Sequence, residues 1–126
     1  MHTPINSALA PAPIGPYSQA IKVEGWLFCS GQVALGPIGT EPLPASLEDQ
    51  AHIVMKNLQA VLQEAGATFS QVVKTSIFLT DMAHFATVNQ IYALYLTEPY
   101  PARETVAVTG LPKGALVEIS CIAFMG

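Results

Sequence analysis

Apolar residues recur at helical spacing in two stretches, with short β-prone runs before, between and after them. Leu47, Ala51, Val54, Leu58, Val61, Leu62 and Ala65 form the stripe of an amphipathic helix. Ser46 can cap its start, Glu48 and Asp49 suit its positive end, and Gly66 is a good stop. His52 and Gln59 fall on its flanks, where solvation is expected. Phe85, Val88, Tyr92, Tyr95 and Leu96 outline a second helix, which Thr80-Asp81 can cap and which must end before Pro99. Asn89 lies at the border of that stripe, where its amide needs partners and either binds a ligand or staples a loop.

The remaining runs read as strands. Ala20-Ile21-Lys22-Val23 and Trp26 to Ser30 flank a Glu24-Gly25 turn, with Gly31 closing the second strand. Val72 to Leu79 is β-rich, with Lys74 and Ser76 marking one face as partly polar. Two final strands, Thr105 to Val108 and Ala115 to Phe124, are joined by the Leu111-Pro112-Lys113-Gly114 loop. Pro4, Pro11, Pro13 and Pro16 make the beginning of the chain an extended leader, neither helix nor central strand. The leader ends in Ile14-Gly15-Pro16-Tyr17-Ser18-Gln19, a turn at which Tyr17 either faces a cleft or is a plain surface tyrosine. Gly36 to Pro44 reads as a surface loop. The order is ββαβαββ, which an α+β sandwich with both helices on one face of a sheet satisfies economically. The uncovered face is then where subunits meet.

Composition strengthens that last point. The 126 residues suit one domain, 1–126, and 51% are hydrophobic while only 11% are charged, against a usual charged share of about 25%. No apolar run approaches the roughly 20 residues of a membrane span, so subunit interfaces are the expected sink and a homo-oligomer is predicted. A net charge of −4 without a basic cluster gives no footprint for nucleic acid. Cys29 and Cys121 lie far apart, without a secretory leader, and read as reduced core thiols in a cytoplasmic protein. Neither they nor His2, His52 and His84 have metal-ligand spacing, and no phosphate loop or nucleophile elbow is present. Catalysis would be cofactor-free and rely on Arg, Glu, Tyr, Asn and backbone groups.

Two residues stand out on that narrow menu. Arg103 is the sole arginine, and its planar fork matches a carboxylate in a way lysine cannot. Glu118 is the one charge in the run from Ala115 to Phe124, where ionisation is costly without a partner. Either Arg103 clamps a carboxylate substrate while Glu118 handles a proton, or the two pair with each other, or both face solvent.

Taken together, these stretches resemble the Rid family, the reactive enamine/imine deaminases of the YjgF type. The resemblance rests on Ile14 to Gln19, Ser30-Gly31-Gln32, Asn57-Leu58, Ala65-Gly66, Val73-Lys74-Thr75 and Phe78 to Met82. It continues through Phe85 to Asn89 with Tyr92, Pro101-Ala102-Arg103, Leu111 to Gly114 and Val117-Glu118-Ile119. It implies a chorismate-mutase-like (bacillus type) α+β fold and a homotrimer with sites between neighbouring subunits. It further implies hydrolysis of 2-imino acids, such as 2-iminopropanoate and 2-iminobutanoate, and of their enamine tautomers, to 2-oxo acids and ammonia. By motif position Arg103 would bind the substrate carboxylate and Glu118 would activate or orient water. Tyr17, Ser30, Gly31 and Asn89 would line the site, and Thr105 would contribute its backbone. Thr105 stands where cysteine is frequent, Ser120 where many relatives carry a second glutamate, and Glu104 where a small residue is common. Strand alternation predicts that Glu104 points away from Arg103. The competing readings are a trimer that binds 2-oxo acids without turnover and the ribonuclease activity ascribed to some relatives.

Overall fold

A computed structural model describes residues 1–37, 39 and 42–126. Residues 38, 40 and 41, in the expected Gly36–Pro44 loop, lie outside the described residues. The strands are β1 (Thr3–Ile5), β2 (Ala20–Val23), β3 (Trp26–Gln32), β4 (Val72–Leu79), β5 (Ala102–Ala107) and β6 (Val117–Phe124). They form one mixed sheet in the order β1-β2-β3-β6-β4-β5, in which only β4 and β5 run parallel among the paired strands. Two helices, α1 (Leu47–Glu64) and α2 (Phe85–Leu94), pack on one face. This is the expected α+β architecture.

The leader contains a strand that the prolines concealed. β1 pairs with β2 at the sheet edge, Pro4 opposite Ile21. A proline at an edge need not donate to the ladder. Buried Gln19 secures the rest of the leader: its Oε1 accepts from Ser7 N at 2.6 Å and its Nε2 donates to Pro11 O at 2.8 Å.

α1 follows its signals closely. Ser46 Oγ accepts from Asp49 N at 3.1 Å, and Gly66 takes the left-handed conformation at φ +85° beyond the last turn. Its buried stripe includes Val54, Leu58, Val61 and Leu62, which meet Leu27, Val117, Ile119 and Ala123 from the sheet. His52 departs from expectation. It is half-buried and its Nδ1 hydrogen-bonds the Tyr95 hydroxyl at 2.7 Å, because the end of α2 packs across this flank of α1. Asp81 does cap, but caps a short 3₁₀ turn (Met82–His84) by accepting from Ala83 N at 2.9 Å; α2 begins after that turn.

The other face of the sheet has no helix on it. Trp26, Phe28 and Phe124 are 41%, 45% and 43% exposed there, with the Trp26 and Phe124 ring centroids 4.7 Å apart. A row of large apolar groups left this open is the kind of patch that marks an interaction surface or a ligand groove. No helix among the described residues is long and apolar enough to cross a membrane.

The β2–β3 turn holds a removable strain. Glu24 has φ +57°, a left-handed conformation that costs a side-chain-bearing residue about 1 kcal/mol and that asparagine adopts more readily. Glu24→Asn is expected to raise stability by about 0.5–1 kcal/mol, read as a higher midpoint in a denaturant titration; an unchanged or lower midpoint contradicts this account of the turn.

Candidate active site

Arg103 is held from the helical side of the sheet. β5 alternates, so Arg103 and Thr105 face α2 while Glu104 faces the open side. Arg103 Nη1 donates to Asn89 Oδ1 at 2.7 Å, and its guanidinium carbon lies 5.5 Å and 5.2 Å from the ring centroids of Phe85 and Tyr92. Phe85, Asn89 and Tyr92 project from one side of α2 because they are separated by four and three residues. The aromatic rings orient the guanidinium by cation–π contact without neutralising it. The Tyr92 hydroxyl is engaged by Thr75 Oγ1 at 2.7 Å, and burial pushes the phenol pKa up, so this ring stays neutral beside Arg103. A cavity of about 490 Å³ opens here, lined by Asn89, Tyr92, Ala93, Tyr100, Pro101 and Arg103. Asn89 thus holds the arginine side chain rather than a loop, and it also lines the cavity.

Glu104 turns away from this cavity, as strand alternation predicts. It makes an ion pair with Lys74 Nζ at 3.1 Å and accepts a hydrogen bond from Ser76 Oγ. The Ser76 hydrogen bond, followed by Lys74, holds its carboxyl pKa down. Thr105 lies under Arg103 with a buried hydroxyl that has no hydrogen-bond partner among the described residues.

Glu118 sits on the opposite face. Val117 and Ile119 fill the core beneath the helices, so the carboxylate between them projects to the open side, in register with Phe78. Burial pushes its pKa above the ordinary carboxylate value, and no neighbouring cation offsets this. A second cavity, of about 540 Å³, contains Glu118 with Tyr17, Ser30, Gly31, Leu35 and Lys113 among its walls. Ser30 Oγ donates to Ser18 O at 2.6 Å, tying β3 to the turn that carries Tyr17, and Tyr17 itself is exposed. Gly31 lies at an irregularity in the β3–β6 register. A Cβ added there would stand 2.6 Å from Glu118 Oε2 and 3.0 Å from its Cγ. Glycine is therefore what lets the carboxylate rest against the strand. Gly31→Ala is expected to displace that carboxylate and lower any Glu118-dependent rate by about tenfold to a hundredfold, with thermal stability nearly unchanged. A variant as active as the parent would show that the displacement is immaterial.

The direct Arg103–Glu118 pair is thus excluded within one chain: the two residues occupy different cavities, on different faces of the sheet. Arg103, Asn89 and Thr105 come together on one side; Tyr17, Ser30, Gly31 and Glu118 come together on the other. Sequence reading missed the aromatic cradle of Phe85 and Tyr92 under Arg103, whose spacing along α2 was its only signal. Among the described residues no cluster of three or more His, Cys, Asp or Glu could hold a metal ion. Cys29 and Cys121 are both buried on the helical side, opposite each other on β3 and β6, and the hydrogen bond with the facing Cys29 thiol, followed by burial, pushes the Cys121 pKa up.

Residues 7–125 match the family described as endoribonuclease L-PSP. The chain belongs to this family. It is the Rid, or YjgF-type, family that the motifs indicated. A solved Rid family protein from Yersinia pestis is 46% identical, with a TM-score of 0.94 over 98% of this chain and 99% of the other. The mouse protein named 2-iminobutanoate/2-iminopropanoate deaminase is 44% identical over 97% of this chain and 90% of its own length. Escherichia coli TdcF, solved with bound serine, is 35% identical, with a TM-score of 0.93 over 98% of this chain and 99% of the other. The family thus includes an imine deaminase and a member that binds a small amino acid.

Proposed function

We propose that this protein is a cofactor-free deaminase that hydrolyses 2-imino acids, and their enamine tautomers, to 2-oxo acids and ammonia. The observation that carries the reading is a pair of charges with no ion-pair partner among the described residues: an arginine fork braced by Asn89 and two aromatic rings, and a half-buried glutamate. A structural ion pair would have joined them. Their separation instead leaves one for a substrate carboxylate and one for a water proton. The reaction needs both and little else, because an imine carbon is already electrophilic.

The two half-sites require a second copy of the chain to form one site. Arg103 is near the free side of β5, and Glu118 lies on the open apolar face. If the β5–α2 edge of one subunit packs on the open face of the next, unlike surfaces meet, and such contacts form a ring where the rotation closes. We propose a homotrimer of this kind, with three sites between neighbours. One 126-residue domain supplies both half-sites, and the Trp26, Phe28 and Phe124 face is covered in the assembly.

In each site Arg103 binds the carboxylate bidentately and Glu118 takes a proton as water adds to the C=N carbon. The substrate nitrogen enters protonated, so water addition gives a neutral carbinolamine. Glu118 returns its proton to that nitrogen, and ammonia leaves as the C–N bond breaks. Glu118 takes the hydroxyl proton as the C=O bond of the 2-oxo acid forms, then passes it to the departing ammonia. Tyr17, Ser30 and Gly31 line the water side, Asn89 aims the clamp, and the Thr105 backbone contributes beside it. The likeness to the mouse deaminase and to serine-bound TdcF supports the substrate class. Ribonuclease chemistry is less well served: none of the three histidines lines either cavity, and Lys74 is tied to Glu104.

The test is a competition. An amino-acid oxidase generates the imine, semicarbazide traps it, and added protein is expected to suppress the trapped product. No suppression by the assembled protein, together with binding of 2-oxobutanoate, would replace the enzyme by a metabolite-binding trimer.

A further inference from the structure

Two buried amides on α1 do work that core packing does not require. Gln50 and Asn57 are 3% and 5% exposed and lie seven residues apart, two turns along the same side of the helix. Apolar residues would fill such positions at less desolvation cost. Both amides instead reach out of α1 to backbone: Asn57 to a segment that lines the Glu118 cavity, and Gln50 to the segment that leads into the strand carrying Glu118. Asn57 Nδ2 donates to the carbonyls of Val33 at 3.2 Å and Leu35 at 2.9 Å, across a tight turn closed by Leu35 N to Val33 O at 2.8 Å. Val33 and Leu35 form one wall of that cavity. Gln50 Nε2 donates to Pro44 O at 2.7 Å, while its Oε1 accepts from Leu116 N at 2.9 Å. Leu116 joins the Pro112–Gly114 turn, which carries Pro112 and Lys113 on the facing wall, to the strand that carries Glu118.

We infer that Gln50 and Asn57 are positioning residues that set the width of the Glu118 cavity, and thereby the size of the 2-oxo or 2-imino acid side chain it admits. This rests on the reading of the cavity as a substrate site. The helix acts as a ruler: it is rigid over two turns, and Asn57 fixes the Val33–Leu35 wall at one hydrogen-bond length from it. Gln50 fixes Leu116, through which the Pro112–Lys113 wall is tethered less directly. A free segment at Val33–Leu35 would have no such reference, since its carbonyls would turn to water.

The experiment compares the affinities of 2-oxobutanoate and the larger, branched 4-methyl-2-oxopentanoate for the assembled protein by calorimetry, so turnover is not needed. Asn57→Leu keeps the branched four-heavy-atom shape, at a larger volume, but removes both N–H donors. It is expected to shift the affinity ratio toward the branched acid by about tenfold, the scale of pocket discrimination by one or two carbon atoms. Leu35→Ala, which opens the same wall without touching α1, is expected to shift the ratio in the same direction and serves where Asn57→Leu fails to fold. A purely structural role would lower the thermal midpoint and leave the ratio alone. An unchanged ratio in a folded Asn57→Leu protein, or in Leu35→Ala if only that variant folds, overturns the inference while the deaminase reading stands. Failure of both acids to bind the parent overturns the substrate site, and this inference with it.

Discussion

Arg103→Ala is expected to lower kcat/KM for imine hydrolysis by about a hundredfold to a thousandfold, with the fold and assembly intact. The magnitude follows from losing two charge-assisted hydrogen bonds to the substrate carboxylate, each worth about 1.5–3 kcal/mol, in part replaced by water. The structural cost is small because the side chain is exposed and makes one hydrogen bond, to Asn89. Arg103→Lys is expected to recover only a little, since a point charge cannot offer the fork or stack between Phe85 and Tyr92 in the same way. Steady-state kinetics with a trapped-imine readout, together with gel filtration of the variant, checks this. Full activity in a folded, assembled Arg103→Ala protein would rule out the clamp.

Glu118→Gln is expected to reduce kcat by about a hundredfold or more, because the amide keeps the shape but cannot accept a proton. The parent should also show an acid limb. Burial raises the Glu118 pKa, so the base is ionised, and activity rises, only as pH climbs through a value above that of an ordinary carboxyl. Glu118→Gln should abolish that limb. The sign of the stability effect is the opposite of a salt-bridged acid. With the native pKa raised, the folded chain holds the proton more tightly than the unfolded one, so stability falls as pH rises from the unfolded value through the native value. Above that window the parent carries the cost of a half-buried carboxylate that the glutamine variant lacks. Its thermal midpoint at pH 7 should therefore equal or exceed the parent's, and a pronounced drop would mean that the carboxylate is stabilised by a partner instead.

Much of the fold was legible because its elements are locally encoded. The 3.6-residue stripe of α1, the Ser46 cap and the Gly66 stop needed no tertiary information. β1 was hidden because its pairing depends on β2 being alongside, while Pro4 on its own argues for an irregular leader. His52 was misjudged for a similar reason: its solvent was displaced by Tyr95, forty-three residues away in the chain. Strand alternation gave Glu104 its direction correctly, since a period of two is a property of the strand alone.

By itself the sequence determined most of the element types, the bounds of α1, the family and the candidate residues for the chemistry, because each of these resides in local spacing or in a short motif. Only the tertiary structure decided which of those residues meet. Arg103 and Glu118 lie fifteen positions apart on strands separated by β4, and side-chain alternation sends one toward α2 and the other to the open face. Sheet order and facing arise from long-range pairing of the backbone, which no local pattern around either residue records. The same packing that separates the two charges leaves each without an ionic partner among the described residues.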